Sequence, residues 1–305
     1  MAREIIVPDR QTGKKLESFL ASSFPIGYVR KLFRKNGVRL NGRRAKAHDL
    51  VGSGDRVELF IPFDFKHSRS ESRRAEDGEI DILFENTEFL IINKAAGLAI
   101  HEAKNITKNR TLLGRLESRY RDAAFKPLLV HRLDKDTSGV LLTAKDPAVA
   151  RELEGYFEKG RVEKEYLCLV AGRLPRDAGS IKVPLSGRDG KPVRAITHYK
   201  VERRFSATTF VRVITETGRM HQIRLHFAEL GYPLVMDNRH GDFAFNKSFR
   251  KRFGLKRQFL HAARLNISHR GKRHTWSAPL PNDLQQTLEA LAGEPRSPFN
   301  VQGPP

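Results

Sequence analysis

Cysteine is all but absent. Cys168 stands alone in an apolar run, which excludes an intrachain disulfide and any zinc site built from a cysteine cluster. Such usage suits a reducing compartment. Long hydrophobic runs are missing as well: no stretch approaches the roughly 18 apolar residues that a membrane-spanning helix needs. The first residues, Met1 to Asp9, carry no apolar signal core, so the expectation is a soluble, cytoplasmic protein. Acidic residues are the third scarcity, with 35 Asp+Glu against 56 Lys+Arg and a formal net charge of +21. That imbalance points to a polyanionic partner, nucleic acid first, because no basic amphipathic anchor or lipidation signal marks a membrane surface.

The scarcity of acids is also local. From Arg30 to Lys46 there are eight Lys/Arg and no Asp/Glu, and from Phe243 to Asn282 ten Lys/Arg and no Asp/Glu. Exposed faces normally mix both signs, so each segment reads as a stripe suited to phosphates.

A chain of 305 residues, 39% hydrophobic, can build one large core and a small appended module. Residues 13–61 read as the module. Leu16, Phe19 and Leu20 lie at helical spacing, as do Val29, Leu32 and Phe33 before a stop at Gly37. Val38-Arg39-Leu40 alternates like a strand and meets the turn Asn41-Gly42, and Val57 to Phe60 gives another strand. Residues 62–79 turn polar, with Ser68, Ser70 and Ser72 among arginines, and read as a linker. Residues 80–292 carry β-rich apolar runs broken by turns. Helices are predicted around Leu112 to Arg121, Ala148 to Lys159 and Met220 to Leu230, the last with Ile223, Phe227 and Leu230 as its apolar stripe. A final helix is predicted with Asn282 as cap and Leu284, Leu288 and Leu291 on one face. The tail 293–305 reads as disordered.

Within the larger unit, four segments hold polar residues that folding alone does not demand. The first is a charged knot between two apolar runs, His131-Arg132-Leu133-Asp134-Lys135-Asp136-Thr137-Ser138-Gly139. It sets Asp134 in a loop between strands, where Arg132 and Lys135 favour an ionised carboxylate able to act as nucleophile or base. An aspartate in a turn also has a plain reading, bonding to its own backbone. The second is Asn93-Lys94-Ala95-Ala96-Gly97, a strand leaving into a small-residue loop, where close backbone packing is the default reading. In the third, Lys164-Glu165-Tyr166-Leu167-Cys168, alternation turns Tyr166 inward with Cys168, which core packing alone would explain. The fourth is Thr217-Gly218-Arg219-Met220-His221-Gln222-Ile223-Arg224-Leu225-His226, at a helix start suited to an anion or simply exposed.

Together these segments resemble the RluA family of RNA pseudouridine synthases, within it the RluC type. The Arg132-Leu133-Asp134 loop with Thr137-Ser138-Gly139 is similar to the family's catalytic motif, and Lys164 with Tyr166 to its tyrosine motif. Gly218-Arg219 with His221 to Arg224 matches its arginine motif, and Phe259-Leu260-His261-Ala262 its last one. Three positions depart from the pattern: Ala95 and Glu102, where prolines or glycine are usual, and His240, where the family has tyrosine. The module resembles the alpha-L RNA-binding domain through Arg30-Lys31, Gly37 to Gly42 and Gly54 to Val57.

The resemblance implies an α+β chain: a pseudouridine synthase fold with a central, mostly antiparallel sheet flanked by helices, plus the small N-terminal α/β domain. It implies isomerisation of uridines to pseudouridine in large-subunit (23S) ribosomal RNA or its assembly intermediate. No metal or cofactor is implied, and a monomer is expected. Asp134 is the implied catalytic carboxylate, with Arg224 paired to it and Arg219 the second candidate for that pairing. Tyr166 stacks on the base, and Leu260 closes the pocket. Arg132 fills the stack vacated by a uridine that must be swung out, and His221 joins the substrate-binding set. Arg30, Lys31, Arg39, Arg43 and Arg44 are the implied RNA contacts of the small domain.

Two other classes fit part of the pattern. Asp134-Lys135-Asp136-Thr137 after an apolar strand also suits a magnesium-dependent aspartyl phosphatase, which would need late carboxylates in a stretch poor in acids. A non-catalytic RNA binder would share the basic composition, although binding alone does not call for Asp134 in an RNA-facing cleft.

Overall fold

The computed structural model describes residues 3–21, 24, 29, 32–60, 80–102, 106–187 and 189–294. Arg30 and Lys31, the 62–79 linker and residues 295–305 of the tail lie outside the described residues. Contacts divide the chain into two units, Met1–Arg74 and Ala75–Pro305.

In the first unit, strands β1 (Arg3–Ile6), β2 (Val38–Leu40), β3 (Arg43–Arg44) and β4 (Arg56–Leu59) pair antiparallel in the order β1-β4-β2-β3. The turn at Asn41-Gly42 is present. Both residues have positive φ, 51° and 77°, the backbone whose twist matches a tight hairpin. Helix Leu16–Ala21 buries Leu16, Phe19 and Leu20 in a core with Leu32, Val38, Val57 and Leu59. Strand β1 was not expected. It lies upstream of residue 13 and has too few alternating residues to announce itself without its partner β4. Arg39, Arg43 and Arg44 are all exposed on the hairpin. The Arg39 guanidinium lies 4.7 Å from the centre of the Phe60 ring, and Arg44 bonds the Asn36 side chain.

The second unit is built on one large sheet. Its strands are β5 (Asp81–Glu85), β6 (Phe89–Lys94), β7 (Leu128–Leu129), β8 (Ser138–Ala144), β9 (Val162–Ala171), β10 (Ala178–Ile181), β13 (Thr197–Arg204), β14 (Thr208–Thr215), β15 (Leu260–His269) and β16 (Lys272–Ser277). A two-stranded ribbon, β11 (Leu185–Ser186) with β12 (Pro192–Val193), stands apart. The order is β10-β13-β14-β9-β15-β8-β6-β5, with β16 on β15 and β7 on β8. Among the described residues every pairing in this sheet is antiparallel except β15 with β8. At that parallel contact a side chain on Gly139 would meet the Ala262 carbonyl at 2.1 Å, so only glycine fits where the catalytic-motif segment enters the sheet.

Both faces of the sheet are covered, and strand periodicity shows how. Phe89 and Ile91 of β6 face a cluster with Val149 and Leu153 of helix Pro147–Glu158, while Leu90 and Ile92 face Leu112 and Leu116 of helix Leu112–Arg119. In the other half, Cys168, Val211 and Val213 pack on Ile223 and Phe227 of helix Gln222–Glu229. Leu169 and Phe259 pack on Phe249 of helix Phe243–Phe253 and on Leu284 and Leu291 of helix Asn282–Ala292.

The predicted helices are found, with four differences. The third begins at Gln222 because His221 has φ 55°, a left-handed backbone that interrupts the run from Met220. Leu230 ends that helix 39% exposed, outside the apolar stripe. Asn282 is the first helical residue rather than the cap, which is Pro281. Helix Phe243–Phe253 was read only as a basic segment. Asp242, whose side chain accepts from the Phe245 amide at 2.9 Å, and Gly254, with φ 72°, bound it. No helix among the described residues is long and apolar enough to cross a membrane.

Two histidines, His131 half-buried and His261 fully buried, make the larger unit sensitive to acid. His131 stacks on Phe157 and accepts the Leu142 amide at 2.9 Å, and burial pushes its pKa down to about 3. His261 bonds Ser138 and the Ala278 carbonyl, and burial pushes it down to about 4. An imidazole with a native pKa below its unfolded value of ~6.5 gains its proton more readily in the unfolded chain, so acid favours unfolding. Above ~6.5 neither state is charged and nothing is lost. Each histidine is expected to remove about 1.4 kcal/mol of stability per pH unit on acidification from there. Urea unfolding at about pH 6 and 5 measures the loss, and His261→Gln should remove the His261 share of it.

Candidate active site

The Asp134 loop is the 130–137 connection between β7 and β8, which pair Leu129 with Thr143. It closes on itself through the Thr137 amide, which donates to the Asp134 carbonyl at 3.1 Å. Neighbouring segments tie it down residue by residue. The Lys135 carbonyl accepts both Lys94 Nζ and the Gly97 amide at 2.9 Å. Arg257 Nη1 donates to the Asp136 carbonyl at 3.3 Å, and Gln258 Nε2 to Thr137 Oγ1 at 2.8 Å. The His261 ring contacts Ser138 Oγ at 3.0 Å.

Lys94 is the peg of this arrangement. It is 1% exposed, and its Nζ also donates to the Ala95 and Leu98 carbonyls at 2.9 Å. Three carbonyls match the three protons of an ammonium. Burial pulls the Lys94 pKa down to about 7, while Asp136 and Asp134 work in the opposite direction. The segment read as mere backbone packing thus fixes the Asp134 loop from below.

The Asp134 carboxylate meets Arg224, whose Nη1 donates to Oδ2 at 2.9 Å. The same guanidinium reaches a second acid: Nε donates to Asp237 Oδ2 at 2.6 Å and Nη2 to Asp237 Oδ1 at 2.8 Å. One planar fork is therefore clamped bidentate to a fully buried aspartate and extends its remaining arm to Asp134. Burial opposes charge on Asp237, but Arg224 and the amides of His240 and Arg239 outweigh it and hold the carboxyl below its usual range. A side chain on Gly241 would strike the Asp237 carbonyl at 2.2 Å, so this turn needs its glycine.

Arg224, not Arg219, is the guanidinium at Asp134. Arg219 is exposed, its Nε donates to the Arg194 carbonyl at 3.2 Å, and its amide donates to Gln222 Oε1. The left-handed turn at His221 separates the two arginines. His221 does approach, with Nε2 3.9 Å from Asp134 Oδ1. Tyr166 of β9 is half-buried between two apolar clusters, and burial together with the Asp134 charge raises its phenol pKa, so it stays protonated. Leu260 is buried beside Ile223 and Phe227 in the cluster on which Tyr166 packs. Arg132 is exposed at the cavity above Asp134.

That cavity, about 280 Å³, is lined by Asp134, His221, Arg224, Arg132, Lys135, Asp136, Met236, Asn238, Arg239 and Gln258. It joins residues some 120 positions apart. Asp237, Lys94, Gln258 and His240 were not singled out as site residues from sequence. The signals in the sequence were the polar Asn93-Lys94 segment and the 237–242 turn with its glycine, neither of which shows by itself what it braces. The arrangement offers a braced carboxylate and several cationic groups at one opening, while Tyr166 and Leu260 lie outside its lining, the phenol close enough to feel the Asp134 charge.

Residues 88–229 match the family model for RNA pseudouridylate synthase. The ribosomal large subunit pseudouridine synthase C of Salmonella typhi is 33% identical over 92% of this chain and 94% of its own length. An uncharacterized RNA pseudouridine synthase of Chloroflexus aurantiacus is 36% identical over 95% of this chain and 93% of its own. Among solved structures, human RNA pseudouridylate synthase domain containing 4 shares the fold, with TM-score 0.60 and 24% identity over 70% of this chain and 93% of that one. With its catalytic and arginine motifs inside the matched segment and relatives aligned along nearly its whole length, the chain belongs to the RluA family of RNA pseudouridine synthases, among relatives of the RluC type.

Proposed function

We propose that this protein converts specific uridines of large-subunit ribosomal RNA to pseudouridine, with Asp134 as the reacting carboxylate. The observation that carries the reading is the Asp134–Arg224 pair on the wall of a cationic cavity, beside the Tyr166 strand. The reaction breaks the bond from uracil N1 to ribose C1′ and forms one from C5 to C1′. N1 gains a proton, and C5 loses one.

Asp134 engages the sugar, and Arg224 holds it in the aim set by Asp237. Tyr166 stacks against the base and relays the proton that leaves C5, its hydroxyl giving up its own proton as it takes that one. Leu260 backs the tyrosine, while Arg132 enters the stack left by the flipped nucleotide, whose extrusion costs a few kcal/mol. His221 borders the sugar, and Arg219 touches the RNA outside the cavity. Arg30, Lys31, Arg39, Arg43 and Arg44 of the 13–61 domain dock structured RNA, and residues 80–292 form the catalytic domain. The basic helix Phe243–Phe253 supplies further phosphate contacts, with Arg250, Lys251 and Arg252 in its last turn. The protein works as a cytoplasmic monomer on free or assembling ribosomal RNA.

Carbodiimide labelling of pseudouridine across all cellular RNA, in cells with and without the gene, tests the proposal. Loss of labelled sites from large-subunit RNA is the expected result. An unchanged map sinks it.

A further inference from the structure

His221 and His240 form a pair whose mutual contact plays no part in the reaction outlined above. His221 Nδ1 lies 3.0 Å from His240 Nε2, with the rings inclined at 64°. The other nitrogen of His221, Nε2, faces Asp134 Oδ1 at 3.9 Å, on the carboxylate oxygen that Arg224 does not hold. Two neutral imidazoles sharing a hydrogen bond need one donor and one acceptor. If His221 donated from Nδ1, its Nε2 lone pair would point at a carboxylate. If His240 donates, His221 carries its proton on Nε2 and turns an N–H toward the same oxygen. Electrostatics selects the second arrangement.

We infer that His240 is a positioning residue that fixes the tautomer of His221, so that an Nε2–H faces the open oxygen of Asp134; the inference rests on Asp134 being the reacting carboxylate. The groups around the pair support neutral rings. For His221, burial, Arg224, His240 and Arg239 all lower the pKa against the pull of Asp134. For His240, burial, Arg224 and Arg239 lower it against Asp237 and Asp134.

The backbone is built to hold this geometry. His221 sits at φ 55°, a left-handed conformation that a side chain occupies only when its surroundings fix it. The His240 amide donates to Asp237 Oδ1 at 3.0 Å, so the aspartate that clamps Arg224 also anchors the histidine that orients His221. Asp134 is then flanked by a guanidinium on one oxygen and an imidazole N–H on the other, and the plane of the carboxylate is set before substrate arrives.

Two measurements on the full-length protein test this. Long-range 1H–15N spectra of 15N-histidine-labelled protein report the tautomer without any substrate, with the His221 signals identified by their loss in His221→Gln. The expected state is a protonated Nε2 and an unprotonated Nδ1, replaced by a tautomer mixture in His240→Phe. Tritium release from 5-tritiated uridine in a large-subunit ribosomal RNA transcript reports turnover. His240→Phe should lower kcat about tenfold with KM unchanged, and His240→Tyr, whose phenol can donate to Nδ1, should restore it. Thermal melts of both variants establish that they fold. An Nδ1–H tautomer in the unaltered protein, unchanged turnover in His240→Phe, or loss in Phe that Tyr does not repair would each overturn the inference. If the unaltered protein releases no tritium, the functional reading fails, and the spectra still decide the tautomer.

Discussion

Asp134→Asn is expected to bind RNA as the unaltered protein does and to form no pseudouridine, a loss on the order of 10⁴-fold or more in kcat, as removal of a reacting group produces elsewhere. The amide has the shape of the acid, and its oxygen can still accept from Arg224 Nη1, which remains clamped by Asp237. What vanishes is the negative oxygen. RNA affinity comes chiefly from basic groups, so the dissociation constant should move by less than about threefold at fixed salt. Tritium release and a binding titration on the same transcript separate the two quantities. Turnover retained by the asparagine variant would remove Asp134 from the chemistry. Turnover that survives excess chelator would separate this enzyme from the metal-dependent phosphatase reading of Asp134-Lys135-Asp136-Thr137.

Much of the fold was legible because strand alternation and helix spacing are local. The Asn41-Gly42 hairpin and the β6 run Phe89 to Ile92 need no distant partner to be read. Strand β1 was missed because its existence depends on β4, more than fifty residues away. Helix Phe243–Phe253 is hard to read for another reason: basic residues fill its last turn, while the residues that bound it, Asp242 and Gly254, lie at its edges.

The site divides along the same line. Asp134, Tyr166 and Arg224 stand in motifs that can be recognised one by one. Which arginine meets the carboxylate cannot be read from spacing, because a single left-handed residue, His221, reorients the chain between Arg219 and Arg224. Lys94 and Asp237 are further still from legibility. A lysine at the end of a buried strand gains its meaning only when the carbonyls of residues 95, 98 and 135 converge on it. Asp237 gains its own only when helix Gln222–Glu229 delivers a guanidinium to it.

That dependence leads to the second large effect. Arg224→Met leaves Asp237 buried with no counter-charge, and loss of one partner of a buried ion pair costs about 3–5 kcal/mol. A melting temperature lower by roughly 10 °C is the expected consequence for a unit of this size. Adding Asp237→Asn should recover most of that stability, since the asparagine oxygen can still accept the His240 and Arg239 amides without burying a charge. Activity should stay absent in the double variant, because Asp134 has lost its brace whether or not the fold is sound. Arg224→Lys completes the set: a point charge can satisfy Asp237 but cannot span two carboxylates with one rigid fork, so stability should largely survive while kcat falls about a hundredfold. Melting curves and tritium release on the three variants separate the two roles. A double variant that regained turnover along with stability would reduce Arg224 to a folding residue and leave Asp134 to aim itself.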